Sequence, residues 1–310
     1  MTKQKTEHKH KKWFSDSFYG FLLMTPALLV LLVVIAFPLL KGIYASFCTY
    51  SLKELRKGMF ELQWNNFQNY KDLFKNGNIL IYFKNTLVFV LLVVIIQFLL
   101  GMAIALLLNT KIRGRGVIRG FMLIPWTIPS VVTAIVWRFM TNSSYGVLNW
   151  AGYKLGLIPT LDYSWTLHSG SAMALIIIAA VWRQLPYMMV MILAGLQSVD
   201  HTLVEASRID GANAWGTLMH VTIPCIRPVI VTSIWIAMMA NFQMYTIIAN
   251  VTNGGPVNAT TTLSIAAYKA AFQSYNFGYA AAIGVVWLVA LMIITVFANK
   301  LTDKFSRDIG

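Results

Sequence analysis

The chain has 310 residues, of which 57% are hydrophobic and only 12% charged, against roughly 25% charged in soluble domains; its mean hydropathy is +0.64. That leaves too little polar material to cover a soluble globule, so lipid must solvate much of the surface. The net charge of +14 does not point to nucleic acid, which would need Lys and Arg gathered on one water-soluble face; they fall instead in short segments between long apolar runs, as orientation signals do.

Residues 1–16 form a basic tail carrying Lys3, Lys5, Lys9, Lys11 and Lys12. The apolar run that follows, 17–40, is too long for a signal-peptide core and has no small-residue cleavage site after it, so it reads as an uncleaved first span. Five more segments approach the ~20 residues needed to cross a hydrocarbon core of ~30 Å: 85–110, 120–137 with Pro125 and Pro129 near its start, 169–199 interrupted only by Arg183, 228–250 and 270–299. The expected fold is all-α: one polytopic transmembrane domain over 17–300 with about six spans, followed by a short tail at 301–310. With the N-terminus inside, the cytoplasmic side receives the leader, then Lys111, Arg113, Arg115 and Arg119, then Arg208 and Arg227, then Lys300, Lys304 and Arg307. The outer side receives fewer charges near the spans, although the long first loop carries several (Lys53, Arg56, Lys57, Lys71, Lys75 and Lys84, offset by Glu54, Glu61 and Asp72). Both termini are therefore placed in the cytoplasm. Cys48 and Cys225 fall on opposite sides, at no metal-ligand spacing from other Cys or His.

The most informative segment lies between the fourth and fifth spans, at 197–224. Asp200 or Thr202 can cap a helix, with Glu205 three residues after Thr202 as in a capping box. That helix should run to about Ile209. Gly211 supplies the positive φ that ends it. A second short helix is expected over 212–220, with Pro224 stopping it before the next span. As physics alone this is an amphipathic hairpin lying in the interface.

The same segment closely resembles the EAA motif of bacterial ABC-importer permeases: Glu205, Ala206, Gly211 and Pro224 stand at its spacing, Ser207 replaces its second Ala, and Asp210-Gly211-Ala212 has the form usual in the carbohydrate branch. Asn66-Phe-Gln-Asn-Tyr70, Asn85-Thr86, Ala194-Gly-Leu-Gln197, Thr252-Asn-Gly-Gly-Pro256 and Phe277-Gly-Tyr-Ala-Ala-Ala282 extend the likeness over most of the chain. It is similar to the larger permease subunit of maltose-type importers, without that subunit's extra N-terminal spans. The resemblance implies a permease of the bacterial cytoplasmic membrane. It implies a second homologous permease, two ATP-binding cassette subunits that bind ATP and Mg, and an external solute-binding protein delivering a sugar. It makes 197–224 a coupling loop that docks on an ATPase, centred on Glu205 and Gly211, with small Ala206 and Ser207 allowing close approach. No P-loop is present, since no Gly-Lys dipeptide occurs, so ATP hydrolysis is assigned to the partner and no catalytic or metal site to this chain.

Arg183 sits near mid-membrane, where a charge marks either a substrate path or a structural tie to a neighbouring helix or to carbonyls freed by Pro186. Matching to maltose-type permeases places Gln184, Tyr187 and Asn241 at sugar-contacting positions. The match departs at Gln184, where the relative has a small residue, and at Ala237, where it has a hydroxyl. Gln243 and Tyr245 read as ordinary packing, and Gly278, Ala282 and Gly284 as a surface for close helix contact. An anionic substrate such as a glycerol phosphate or acidic oligosaccharide is the alternative within this reading. A secondary transporter would need internal repeats and mid-membrane carboxylates, and a membrane-embedded enzyme would need clustered His or acidic residues; neither pattern is present.

Overall fold

The computed structural model describes residues 16–57, 62–75, 78–110 and 112–307. The lysines of the leader, Glu61 and Lys111 lie outside these, as do the side chains of Lys304 and Arg307.

The first apolar run folds as α1 (Asp16–Leu31) and α2 (Phe37–Ser46), joined without a break by a π turn at Leu32–Ala36. Its 27-residue stretch Gly20–Ser46 is long enough to span, and its large apolar side chains from Phe21 to Leu40 are exposed. A small outer cap follows. Strands β1 (Cys48–Thr49) and β2 (Gln63–Trp64) pair antiparallel with Cys48 opposite Trp64, and α3 (Leu52–Arg56) and α4 (Gln68–Lys75) flank them.

Helix α5 (Asn78–Asn109) has 32 residues, about 48 Å at 1.5 Å per residue, and crosses the layer with length to spare. It packs along α9 (Ser169–Gln197). The two backbones approach so closely at Gly101 that a Cβ there would lie 2.8 Å from Met188 Cγ. Around this contact Phe89, Val93, Ala105, Leu175, Ile176, Met188, Met189 and Ile192 form the dry centre of the chain.

Three expectations are corrected. The third apolar run is not one straight helix: α6 (Arg115–Thr127) and α7 (Ser130–Met140) meet at 96°. Pro129 is the cause, because the residue before a proline is pushed out of the helical region, and Ile128 is extended at φ −73, ψ 130. Pro125, by contrast, is absorbed within α6. Second, Pro224 does not separate the loop from the fifth span. After α10 (His201–Ile209) and α11 (Ala214–Thr217), a π turn at Leu218–Thr222 leads into α12 (Ile223–Phe242), so that Ala214–Phe242 is one helical run of 29 residues. Pro224 has no N–H and its ring would crowd the preceding turn of an α-helix. The wider π turn, in which Ile223 N–H reaches Leu218 O, makes room for it. Third, that run ends at Phe242; α13 (Thr246–Val251) is a separate helix beyond a break at 243–245.

Helix α8 (Val147–Lys154) sits in the loop after α7, and α14 (Leu263–Tyr268) continues through a π turn at Lys269–Gln273. The last span, α15 (Phe277–Arg307), begins within the expected segment and continues to Arg307, beyond its expected end. It packs on α2. Of its small residues, Gly278 abuts the Cys48 carbonyl and the Asn69 amide, Ala282 is fully buried, and Gly284 faces open space. Both cysteines are free, Cys48 buried and Cys225 exposed.

Candidate functional site: a docking hairpin and a polar layer between broken helices

The segment linking α9 to α12 folds as a compact helical hairpin. Asp200, not Thr202, caps α10: its Oδ1 accepts from Thr202 N–H at 2.9 Å, leaving the potential Thr202–Glu205 capping box unformed. These bonds from Thr202 hold the Asp200 carboxyl below the usual carboxylate range. Gly211 turns the chain at φ +85, with nothing within 4 Å of a Cβ built there. Backbone bonds Gly211 N→Arg208 O (3.1 Å) and Ala212 N→Ser207 O (2.9 Å) close the turn. Asn213 then caps α11 through Gly216 N–H at 2.7 Å.

The expected residues divide by face. Glu205, Ala206, Asp210, Gly211 and Pro224 are exposed, and Glu205 has no ion pair among the described residues. Ser207 points the other way. It is buried, its hydroxyl 3.0 Å from that of Thr217, so its small size serves the hairpin's own closure rather than an outside surface. Three apolar side chains escaped the sequence reading: Leu203, Ile209 (87% exposed) and Trp215 (66% exposed) are uncovered on the same hairpin as Glu205.

The mid-membrane residues form two groups, not one. Gln184 of α9 and Asn241 of α12 are 8% and 1% exposed and face each other. Gln184 Nε2 donates to Asn241 Oδ1 at 2.9 Å, and Asn241 Nδ2 donates back to Gln184 Oε1 at 3.4 Å and to Ala237 O at 2.8 Å. Gln97 of α5 completes this layer, giving Nε2–H to Gln184 O at 3.0 Å while its Oε1 is buried without a partner. Sequence reading missed Gln97 because an isolated amide in an apolar run carries no spacing signal. Arg183 and Tyr187 point instead towards α6: Arg183 Nε donates to Ile128 O at 3.2 Å, and the Tyr187 ring lies 6.1 Å from that of Trp126, its hydroxyl buried and unpartnered. The carbonyl Arg183 meets belongs to the α6–α7 break and not to Pro186. Gln243 is exposed, and Tyr245 packs on Tyr268 at 4.6 Å.

Residues 97–307 match the family described as the binding-protein-dependent transport system inner membrane component. The chain belongs to that family. It is 31% identical over 301 residues to the trehalose/maltose transport system permease protein MalF of Thermococcus litoralis, covering 95% of this chain and 97% of the relative. It is 30% identical over 286 residues to the inner membrane ABC transporter permease protein YcjO of Escherichia coli K12 (92% and 94% covered). To the sn-glycerol-3-phosphate transport system permease protein UgpA of Yersinia pestis it is 29% identical over 297 residues (95% and 97% covered). Among solved structures it resembles a chain of a bacterial ABC transporter involved in the import of the acidic polysaccharide alginate, with a TM-score of 0.76 at 21% identity and 93% and 96% coverage, a likeness of fold. The protein is thus a membrane-embedded permease component of a binding-protein-dependent ABC importer, a transport subunit and not itself an enzyme.

The other family motifs of this permease are staples. Asn69 Nδ2 donates to Ser46 O and Cys48 O, both at 2.9 Å, and Tyr70 OH lies 2.7 Å from Ser46 Oγ. Asn85 Nδ2 donates to Asn258 O (2.8 Å) and Thr261 O (3.1 Å), and Thr86 Oγ1 accepts from Leu263 N–H (3.0 Å). The bonds from Asn85 and Thr86 tie the segment 258–263, which follows the Thr252–Pro256 turn, to α5.

Proposed function

We propose that this permease carries a sugar or oligosaccharide into a bacterial cytoplasm across the inner membrane, as one half of a heterodimeric pore driven by two ATPase subunits. What best supports the reading is the hairpin 200–217, which exposes Glu205 together with Leu203, Ile209 and Trp215 at the junction of two long helices. Those helices are also the pair that carries the amides Gln184 and Asn241. In this reading Glu205 meets a basic residue of the ATPase and the exposed apolar side chains fill a cleft there. ATP-driven closure then moves α9 and α12 together. Amides suit sugar hydroxyls because each can donate and accept. Arg183 is engaged with Ile128 O, which favours a neutral sugar over an anionic one. Both termini lie in the cytoplasm, and the loops opposite the hairpin receive the solute-binding protein.

The test is uptake and ATP hydrolysis by the reconstituted complex with a panel of neutral and anionic oligosaccharides. Glu205→Lys and Gly211→Pro should insert and assemble, yet lose uptake while hydrolysis no longer responds to the binding protein. Normal uptake in either variant would defeat the coupling assignment, and uptake of anionic substrates alone would replace the neutral sugar with an acidic one.

A further inference from the structure

The two helix breaks share one support. The first, at Ile128–Pro129, separates α6 from α7; the second, at 243–245, separates α12 from α13. Beyond them α7 and α13 pack on each other, with Ala134, Ile247, Ile248 and Val251 in the common core. Both ties to the breaks come from consecutive residues of α9. Arg183 reaches Ile128 O at the first, and Gln184 holds Asn241 in the last helical turn before the second. Arg183 is the fifteenth of the 29 residues of α9, mid-membrane, where a guanidinium is costly to keep. No carboxylate among the described residues pairs with it. Satisfying one carbonyl does not require a permanent charge, since an amide or a water can do it. A single charge-assisted bond from Nε, without the two-point grip of a guanidinium on a carboxylate, holds a geometry and can let it go.

We propose that Arg183 is a positioning residue for transport: through the Ile128 carbonyl it sets the angle of the α6–α7 break and so the resting place of α7 and α13, which move as one gate about the two breaks. The proposal rests on the permease reading, and it adds a latch separate from the Gln184–Asn241 amides.

The experiment uses the assembled importer in lipid nanodiscs, with spin labels at Phe121→Cys on α6 and Ile135→Cys on α7, both positions exposed in this chain, and Cys225→Ser to remove the exposed thiol. Without ATP the wild type should give one narrow distance. Arg183→Met should raise the displaced fraction about tenfold, the size expected for loss of one charge-assisted bond, and should raise ATP hydrolysis in the absence of binding protein. Arg183→Lys, which can still donate, should restore much of the narrow distance. If Arg183→Met fails to assemble, Arg183→Leu, which likewise has no donor, is read in the same way. A distance distribution unchanged in Arg183→Met, or in Arg183→Leu where that variant stands in, overturns the proposal; lost uptake alongside it would mean that Arg183 touches the substrate. Failure of the wild-type complex to take up any substrate would instead count against the permease reading and leave the distance result standing on its own.

Discussion

The amide pair Gln184–Asn241 allows two contributions to be separated, that of holding α9 to α12 and that of meeting a substrate. Gln184→Met and Asn241→Leu each preserve side-chain volume while removing one partner. Asn241→Leu deletes three bonds, at 2.9, 3.4 and 2.8 Å, and strands a Gln184 amide that is 8% exposed. Interhelical hydrogen bonds inside membranes contribute on average only ~0.6 kcal/mol, so most of the loss is the stranded amide, about 1–3 kcal/mol. Each single variant should therefore be destabilised by about 2 kcal/mol, and the double variant by under about 1 kcal/mol, because nothing polar is left unpaired between the helices. The assay is unfolding in mixed detergent micelles for all four proteins, alongside the concentration dependence of uptake. If the amides also bind sugar, the double variant is nearly as stable as wild type, yet its uptake needs at least about tenfold more substrate, the loss of roughly 1.4 kcal/mol of binding. A double variant less stable than either single one would refute the energetic reasoning. A stable double variant with ordinary uptake would remove both amides from the substrate path.

Gly101→Val should lower stability by about 1–3 kcal/mol, because a Cβ there is already 2.8 Å from Met188 Cγ; the same unfolding assay checks it. Ser207→Leu should open the hairpin, since this hydroxyl is buried against Thr217, and should lower uptake per ATP hydrolysed far more than Ser207→Ala. The Asp200 carboxyl is held below its ordinary range by Thr202. Its contribution to the hairpin is therefore present above the unfolded-state value and is lost only as pH falls through the lowered folded one. Coupling should thus be flat from about pH 5 to 8, with Asp200→Asn abolishing any fall that Asp200 causes below that range; titrating the ratio of uptake to hydrolysis in both proteins tests this.

The long apolar runs were legible because length and composition alone decide whether a helix can cross a membrane, and the hairpin was legible because Asp200 and Gly211 act locally. The breaks were not. Pro125, Pro129, Pro186, Pro224 and Pro228 read alike in sequence, yet only Pro129 lies at a sharp bend. Pro224 instead follows a π turn, and the other three are contained in helices. Whether a proline breaks a span depends on what meets the backbone around it, and at Ile128 that group is Arg183, 55 residues away in the chain. The same non-locality hid Gln97, whose partner is a backbone carbonyl 87 residues on. It also hid the inward turn of Ser207, which depends on Thr217 lying across the hairpin.

The placement of the breaks bears on how a push at the hairpin could do work. From the hairpin, α9 runs back to Gln184 over 13 residues, about 20 Å, and the helical run Ala214–Phe242 carries Asn241 with no break between. The legs also touch at Gly195, where a Cβ would lie 3.2 Å from Val229. Two helices joined at the hairpin, packed along their length and tied again at Gln184–Asn241 resist shear between them and move together. Relative motion must then arise where the helices stop, at 128–129 and 243–245. These are the places where α7 and α13 begin, and where a change of angle of a few degrees becomes a displacement on the far side of the membrane. A transporter of this kind therefore needs its weakest backbone beyond the amide layer and its most continuous backbone between that layer and the hairpin, and this chain has its helical continuity and its breaks in that order.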